Sequence, residues 1–381
     1  MRRVIWLFLV VACGGGSGGV APTTPPTAPT PPPLPALVST GDWQVSPSEP
    51  FRGKQDDLVF PTSKRGFYGN GDGKLFRTDD GGASWQKLFE KPGTFIRAVG
   101  FLDDQHGFVG NLGPDAFPNV TDTNLLYRTD NGGTTWSPVA LPDLEGARGV
   151  CSIDILTIDA VNAGHPNHKQ IVHVGGRVGG PASLFRSDDA GASWKRLPLP
   201  PKVAMILDVK FLTPSLGFVF AGSDPDVATS HGLIARTQDA GLTWQVVYES
   251  TRPFELMWKA SFPSRLVGYA SLQNYSDASE TPDPHRYVVK TTDGGATWKE
   301  LPLVEQADVR QLGIGFVDDQ HGWVGAMPHG FETTDGGATW KPVPSMPKAT
   351  NKIRIVRNPT GAEVWAIGLD IRHLTLVPKS P

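Results

Sequence analysis

Hydrophobic and polar residues alternate along this chain in short runs, each broken by a cluster of Gly, Pro, Asp, Ser or Thr. "IRAVGFLDDQHGFVG" (Ile96–Gly110) shows the plan: an apolar run ending in Phe, a polar turn, then a second run opening on Gly and an aromatic residue. The same sentence returns as "QLGIGFVDDQHGWVG" (Gln311–Gly325), with weaker echoes at Leu207–Gly222, Lys259–Ala270 and Asp56–Asn70. Period-two alternation bounded by turn residues predicts β-strands. No stretch keeps apolar residues at helical spacing for three turns, so the expected class is all-β.

After each such pair comes a denser phrase: TDDGGASW (Thr78–Trp85), TDNGGTTW (Thr129–Trp136), SDDAGASW (Ser187–Trp194), TQDAGLTW (Thr237–Trp244), and TTDGGATW at both Thr291–Trp298 and Thr333–Trp340. A hydroxyl residue, a carboxylate and Gly in quick succession make a tight turn, and the alternating residues on both sides make it a hairpin. The repeating unit is therefore four strands, the fourth beginning at the Trp. The six tryptophans follow one another at intervals of 42 to 58 residues, the length of a propeller blade with variable loops. Asp80, Asn131, Asp189, Asp239, Asp293 and Asp335 are expected to be structural turns on the outer rim. One carboxylate per box falls short of a calcium site, which takes several oxygen ligands.

The ends of the chain set the blade count. Lys352–Val356, Glu363–Gly368 and Arg372–Val377 read as three strands without a fourth, and GDWQVSP (Gly41–Pro47) reads as an orphan fourth strand. The expectation is a seven-bladed β-propeller in which the N-terminal strand closes the last blade; six or eight blades stay open as alternatives. Closure of this kind pairs strand edges that would otherwise be free.

The first forty residues lie outside that pattern. A basic head, the apolar run Val4–Val11 and Ala12-Cys13 read as a secretory signal, too short to span a bilayer. The expected organisation is a signal peptide over 1–12, a Gly/Pro-rich tether over 13–40 and the propeller over 41–381. The tether has almost nothing to bury. Val10–Gly14 resembles the lipobox of bacterial lipoproteins, which implies that Cys13 carries the lipid; an ordinary signal peptide is the alternative. Gly14 in place of an aspartate favours the outer membrane under lipoprotein sorting rules. Cys151 is the only other cysteine, so the mature chain has no internal disulfide, and it reads as a small buried side chain.

A net charge of −3 gives no footprint for nucleic acid. The first strand of each unit brings Asp56, Asp57, Arg97, Asp208, Lys210, Lys259, Arg310, Arg354 and Arg357 towards the channel mouth. They read either as strand-end ion pairs or as a patch for an acidic partner, with Arg97, Arg310, Arg354 and Lys259 as the binding candidates. His165 and His168, with His173 beyond, read as a surface loop; His106 and His321 occupy the same turn of two repeats. No metal site, cofactor or catalytic residue is expected.

The six phrases resemble the Asp-box, or BNR, repeat of β-propellers. Sialidases also carry such boxes, but the F/Y-R-I-P segment that opens their domain is not found, and no tyrosine context matches their nucleophile. The order of Phe-ended strand, Gly-aromatic strand and T-x-D-G-G-x-T-W box over Gly41–Val377 resembles the photosystem II stability/assembly factor family. That resemblance implies a seven-bladed, non-catalytic propeller outside the cytoplasm that binds membrane proteins. It maps the family's basic patch to Arg97, Arg310 and Arg354. The reading is a monomeric, lipid-anchored, extracytoplasmic propeller that binds a membrane or envelope protein. A sialidase-like or other glycan-active hydrolase and a carbohydrate-binding module, for which an exposed channel-side Trp258 would be the sign, are the alternatives.

Overall fold

The computed structural model describes residues 36–160 and 167–379. They form seven antiparallel sheets. Blade 1 consists of Gln55–Val59, Gly66–Asn70, Lys74–Thr78 and Gln86–Glu90, and blades 2 to 6 repeat the pattern with inner strands Ile96–Phe101, Ser152–Ala160, Met205–Phe211, Glu255–Ser261 and Arg310–Phe316. Blade 7 takes Lys352–Asn358, Gly361–Ile367 and Ile371–Pro378 from the C-terminal end of the chain.

The N-terminal strand joins blade 7, as the sequence predicts. Gln44–Ser46 pairs with Ile371–His373. A second short strand, Leu37–Ser39, pairs with Leu376–Pro378. The pairing thus begins four residues before the expected Gly41 boundary, inside what composition assigns to the tether. Leu37 is buried, and this apolar contact holds the segment to the sheet. The predicted signal peptide, Cys13 and the tether up to Pro35 lie outside the described residues, as does His165. The Asn167–Gly176 strand corrects the loop reading around His168 and His173: it pairs with Ser152–Ala160 in one long hairpin.

The repeated residues have a common packing role. The Phe that ends an inner strand stacks on the aromatic residue of the second strand of the preceding blade: Phe101 on Phe67 at 3.7 Å, Phe211 on His173 at 3.6 Å, Phe316 on Tyr269 at 3.6 Å. The box Trp of the same blade meets that Phe edge-on, as Trp136 does Phe101 and Trp340 does Phe316. Such pairs add about 0.5–1.5 kcal/mol each beyond their buried area. The Gly before the aromatic follows from the same contact, since a Cβ on Gly107 would stand 2.6 Å from the Phe101 ring.

The boxes are wedges between blades. In the first, Thr78 Oγ1 donates to Asp80 Oδ1 at 2.7 Å, Ser84 N and Oγ donate to the two Asp80 oxygens at 2.9 and 2.6 Å, and Gly82 N donates to Thr78 Oγ1. Asn131 reproduces the turn, with its amide donating to Thr135 Oγ1. Gly82 has φ of +87°, and a Cβ there would lie 2.2 Å from the Trp365 ring of blade 7, so both conformation and space demand glycine.

Hydrogen bonds, led by those from the box Ser or Thr, hold the Asp80, Asp189, Asp239, Asp293 and Asp335 carboxyls down at about 2, against an ordinary 3.8. A folded pKa below the unfolded one contributes stability that is complete above the unfolded value and lost as pH falls through the folded one. The denaturation midpoint is therefore expected to fall between pH 4 and pH 2, and Asp239→Asn to flatten that limb. An unchanged limb in the variant would remove the boxes as its cause.

Candidate functional site

The inner strands all enter from one face, so their first residues surround one channel mouth and their last residues the other. Most charges on them are spent on one another across blade boundaries. Asp57 Oδ1 accepts Arg354 Nη2 at 2.9 Å, and Lys352 Nζ stands 3.3 Å from Asp57 Oδ2, both from blade 7. The same Oδ2 takes the Val99 N–H of blade 2 at 2.9 Å. Asp56 pairs with Arg97. Asp154 of blade 3 faces Lys210 Nζ at 3.3 Å and accepts Phe211 N–H of blade 4. Asp208 of blade 4 accepts Ser152 Oγ at 2.7 Å and Ala260 N–H of blade 5 at 3.0 Å. These buried carboxylates stitch neighbouring blades together at the 7–1, 1–2, 3–4 and 4–5 boundaries.

Burial and charge compete among them. Burial pushes Asp208 up, but Lys259, Lys210 and Lys352 together outweigh it and hold the carboxyl far below its usual range. Burial also drives the Lys259 amine well below the lysine range, with Lys352 adding to the effect. In Asp56, burial wins over Arg97 and raises the carboxyl.

This geometry corrects part of the expected binding patch. Arg97 is 5% exposed and Lys259 is 3% exposed, its Nζ donating to the Leu207 carbonyl, so neither presents a charge to a partner. Trp258 is also 3% exposed and crosses the channel, packing with Met205, Leu207 and Leu312 and donating to Asn351 Oδ1 at 3.0 Å. It is a plug, and it offers no stacking face to a sugar. Arg310 is half-buried and pairs with Asp277 at 2.5 Å. Arg354 lies with the last residues of the inner strands, so the three arginines do not converge.

Arg354 instead lines an open cleft of about 480 Å³ at the ends of the inner strands of blades 4 to 7. Lys210, Arg354 and Arg357 supply its charge; Phe262, Ile314 and Ile353 supply its apolar wall. No carboxylate is among its lining residues. Arg354 is engaged by Asp57 and by the Leu58 carbonyl at 2.9 Å, and Lys210 by Asp154. Arg357 is exposed, with its guanidinium on the Val317 carbonyl. Leu37, where the chain joins blade 7, pairs with Pro378, and both lie at this same face of the ring.

Other candidates resolve into structure. His173 is fully buried, stacked on Phe211 and 3.3 Å from Arg186 Nη1. His106 caps its own turn on Asp103, while the His321 ring reaches Glu332 on the third strand of blade 6. Cys151 is buried and accepts the Val178 N–H. Among the described residues no three His, Cys, Asp or Glu side chains gather as metal ligands. Among the described residues one Tyr–Glu side-chain pair exists, Tyr248 donating to Glu300 at 2.6 Å beside Arg252, but it bridges the outermost strands of blades 4 and 5, away from the channel. Lys54 and Tyr275, at the first mouth, went unnoticed in the sequence. Lys54 immediately precedes the first inner strand, which was the available signal.

No protein-family model matches the chain. The chain is similar to photosystem II stability/assembly factor HCF136 of Arabidopsis thaliana, 23% identical over 231 residues, covering 58% of this chain and 49% of that protein. It is 29% identical over 149 residues to the photosystem II assembly lipoprotein Ycf48 of Synechococcus sp. (strain CC9902), covering 39% and 35% of the two chains. At a similar level it matches xyloglucanase Xgh74A of Acetivibrio thermocellus, 24% over 263 residues, covering 60% and 29%. The chain thus spans half or less of the length of these curated relatives. Among solved structures, YCF48 bound to D1 peptide superposes with a TM-score of 0.61 at 16% identity, over 91% of this chain and 99% of that one. The chain is an Asp-box β-propeller that resembles the photosystem II stability/assembly factor family, with xyloglucanases as a second group of relatives.

Proposed function

We propose that this chain is a non-catalytic, monomeric binding propeller that works outside the cytoplasm, held to a membrane by a lipid on Cys13, and that it grips a segment of a membrane or envelope protein in the cleft of blades 4 to 7. The cleft carries the reading: it is open, crosses four blades, and combines an apolar wall with three cations and no lining carboxylate. An extended segment bearing both apolar and acidic side chains matches that lining, since rim charges steer the encounter and apolar contacts hold it. The relatives support the class of partner and the anchor, one structure holding a D1 peptide and one curated relative being a lipoprotein. The first described strand, Leu37–Ser39, pairs with blade 7 at the end of the sheet that bears the cleft.

The xyloglucanase similarity favours hydrolysis as the second reading. Glycoside hydrolysis takes two carboxyl groups flanking the bond, about 5–10 Å apart, and this lining supplies none. Purified protein is expected to bind a fluorescent peptide of mixed Leu and Asp/Glu composition and to ignore its Lys-substituted counterpart. Arg357→Ala should weaken binding about tenfold, the scale of one lost charge-assisted contact. Equal affinity for both peptides, or release of reducing sugar from xyloglucan, would overturn the reading.

A further inference from the structure

Blade 3 departs from the other six on the face that bears the cleft. Its inner strand, Ser152–Ala160, has nine residues against five to seven elsewhere. In blade 4 the inner strand stops at Phe211, one residue beyond the Lys210–Phe218 pair, and a short turn leads back to Gly217. In blade 3 the strand passes the equivalent residue, Ile155, one beyond the Asp154–His173 pair, and pairing continues out to Ala160 opposite Asn167. At about 3.3 Å per residue, residues 156–160 reach about 15 Å further than the strand beside them.

This hairpin adjoins the cleft. Asp154 at its base holds Lys210, a cleft residue, at 3.3 Å. Leu156 packs against the cluster that contains Val209 and Phe211 of blade 4, and Ile158, half-buried, lies two residues on along the same face. The inner strand pairs on one side only, with Asn167–Gly176. Thr157 lies opposite Gln170, whose carbonyl is taken on its other side by the Ala190 N–H. In an antiparallel ladder a residue turns its N–H and C=O to the same side, so Gln170 turns both away from Thr157. Thr157, which is exposed, therefore turns both of its own towards the free edge.

A free edge is a template for another chain, and only an extended polypeptide repeats donors and acceptors at the two-residue spacing it presents. We propose that the partner segment gripped in the cleft continues onto this edge and adds to Ser152–Ala160 as a strand, with its backbone bonded to Thr157. The inference rests on the cleft reading and deepens it. Strand addition puts every second side chain of the segment on the face of Leu156 and Ile158, which suits its apolar residues. Lys210 and Arg357 draw its acidic residues into the cleft beside them.

The test uses the full chain and the fluorescent peptide of mixed Leu and Asp/Glu composition. Thr157→Pro removes the outward N–H while the ladder to Asn167–Gly176 keeps its bonds, the placement in which a strand tolerates proline. Thr157→Ala removes the side chain alone. Thr157→Pro is expected to weaken binding about tenfold and Thr157→Ala to leave it unchanged. In the unaltered chain, bound peptide should slow hydrogen exchange at the Thr157 amide. Peptide bound without that slowing, or bound by Thr157→Pro with undiminished affinity, overturns strand addition and leaves the cleft reading standing. No binding by the unaltered chain overturns both. Slow exchange at Thr157 that depends on protein concentration without peptide assigns the edge to a second copy of the chain, and overturns the proposal as well.

Discussion

Asp57→Ala is expected to destabilise the ring by about 3–5 kcal/mol, the cost of removing one partner from a buried ion pair and leaving the other charged. Asp57 is fully buried and serves three blades, taking Lys352 and Arg354 from blade 7 and the Val99 N–H from blade 2. Against a typical domain stability of about 5–15 kcal/mol, that is a large fraction. Its place at the junction of the first and last blades means that the loss falls on ring closure. Asp57→Asn keeps the shape and can still accept from Val99, but leaves two cations unmatched, so it should recover little. A denaturant midpoint within the range of ordinary surface variants would show that these buried pairs are not what closes the ring. The pH sign agrees: burial raises the Asp57 carboxyl, Lys352 and Arg354 together lower it further, and the net depression contributes stability that acid removes.

Phe101→Ala should cost about 3–5 kcal/mol, as for other large aromatic truncations in a packed core. The ring lies flat on Phe67 at 3.7 Å and meets Trp136 edge-on at 6.2 Å, so its loss opens a cavity between blades 1 and 2. A second substitution tests the logic of the repeat. Gly107→Ala alone places a methyl 2.6 Å from the Phe101 ring and should cost about 1–3 kcal/mol by overpacking. In the Phe101→Ala background the methyl has room, and the penalty should vanish. Additive losses in the double variant would mean that the glycine is there for another reason.

The repeat was legible because local chemistry writes it. A turn that needs Thr, Asp and Gly at fixed offsets, and a Phe that needs a Gly beneath it, leave the same letters in each blade. In blade 3 the loop signal of AGHPNHKQ extends too far: from Asn167 onward the chain is a strand paired with Ser152–Ala160, while the residues before it lie outside the described ones. The members of the expected patch could not be told apart for a related reason. Arg97, Lys259 and Arg354 are equivalent letters on equivalent strands, and nothing local distinguishes an arginine that meets Asp56 in the interior from one that meets solvent.

The sequence by itself determined the class, the four-stranded unit and the closure by the N-terminal strand, and pointed to seven blades, since each depends on periodicity and on turns a few residues long. Only the tertiary structure decided which charges cancel and which remain. Lys210, Phe262, Arg354 and Arg357 meet in one cleft, and Lys54, Arg97 and Arg310 at the other mouth, across sequence separations that no local pattern encodes. Which inner-strand charges are spent inside the ring and which face the cleft is a property of the closed ring, because the partners come from neighbouring blades.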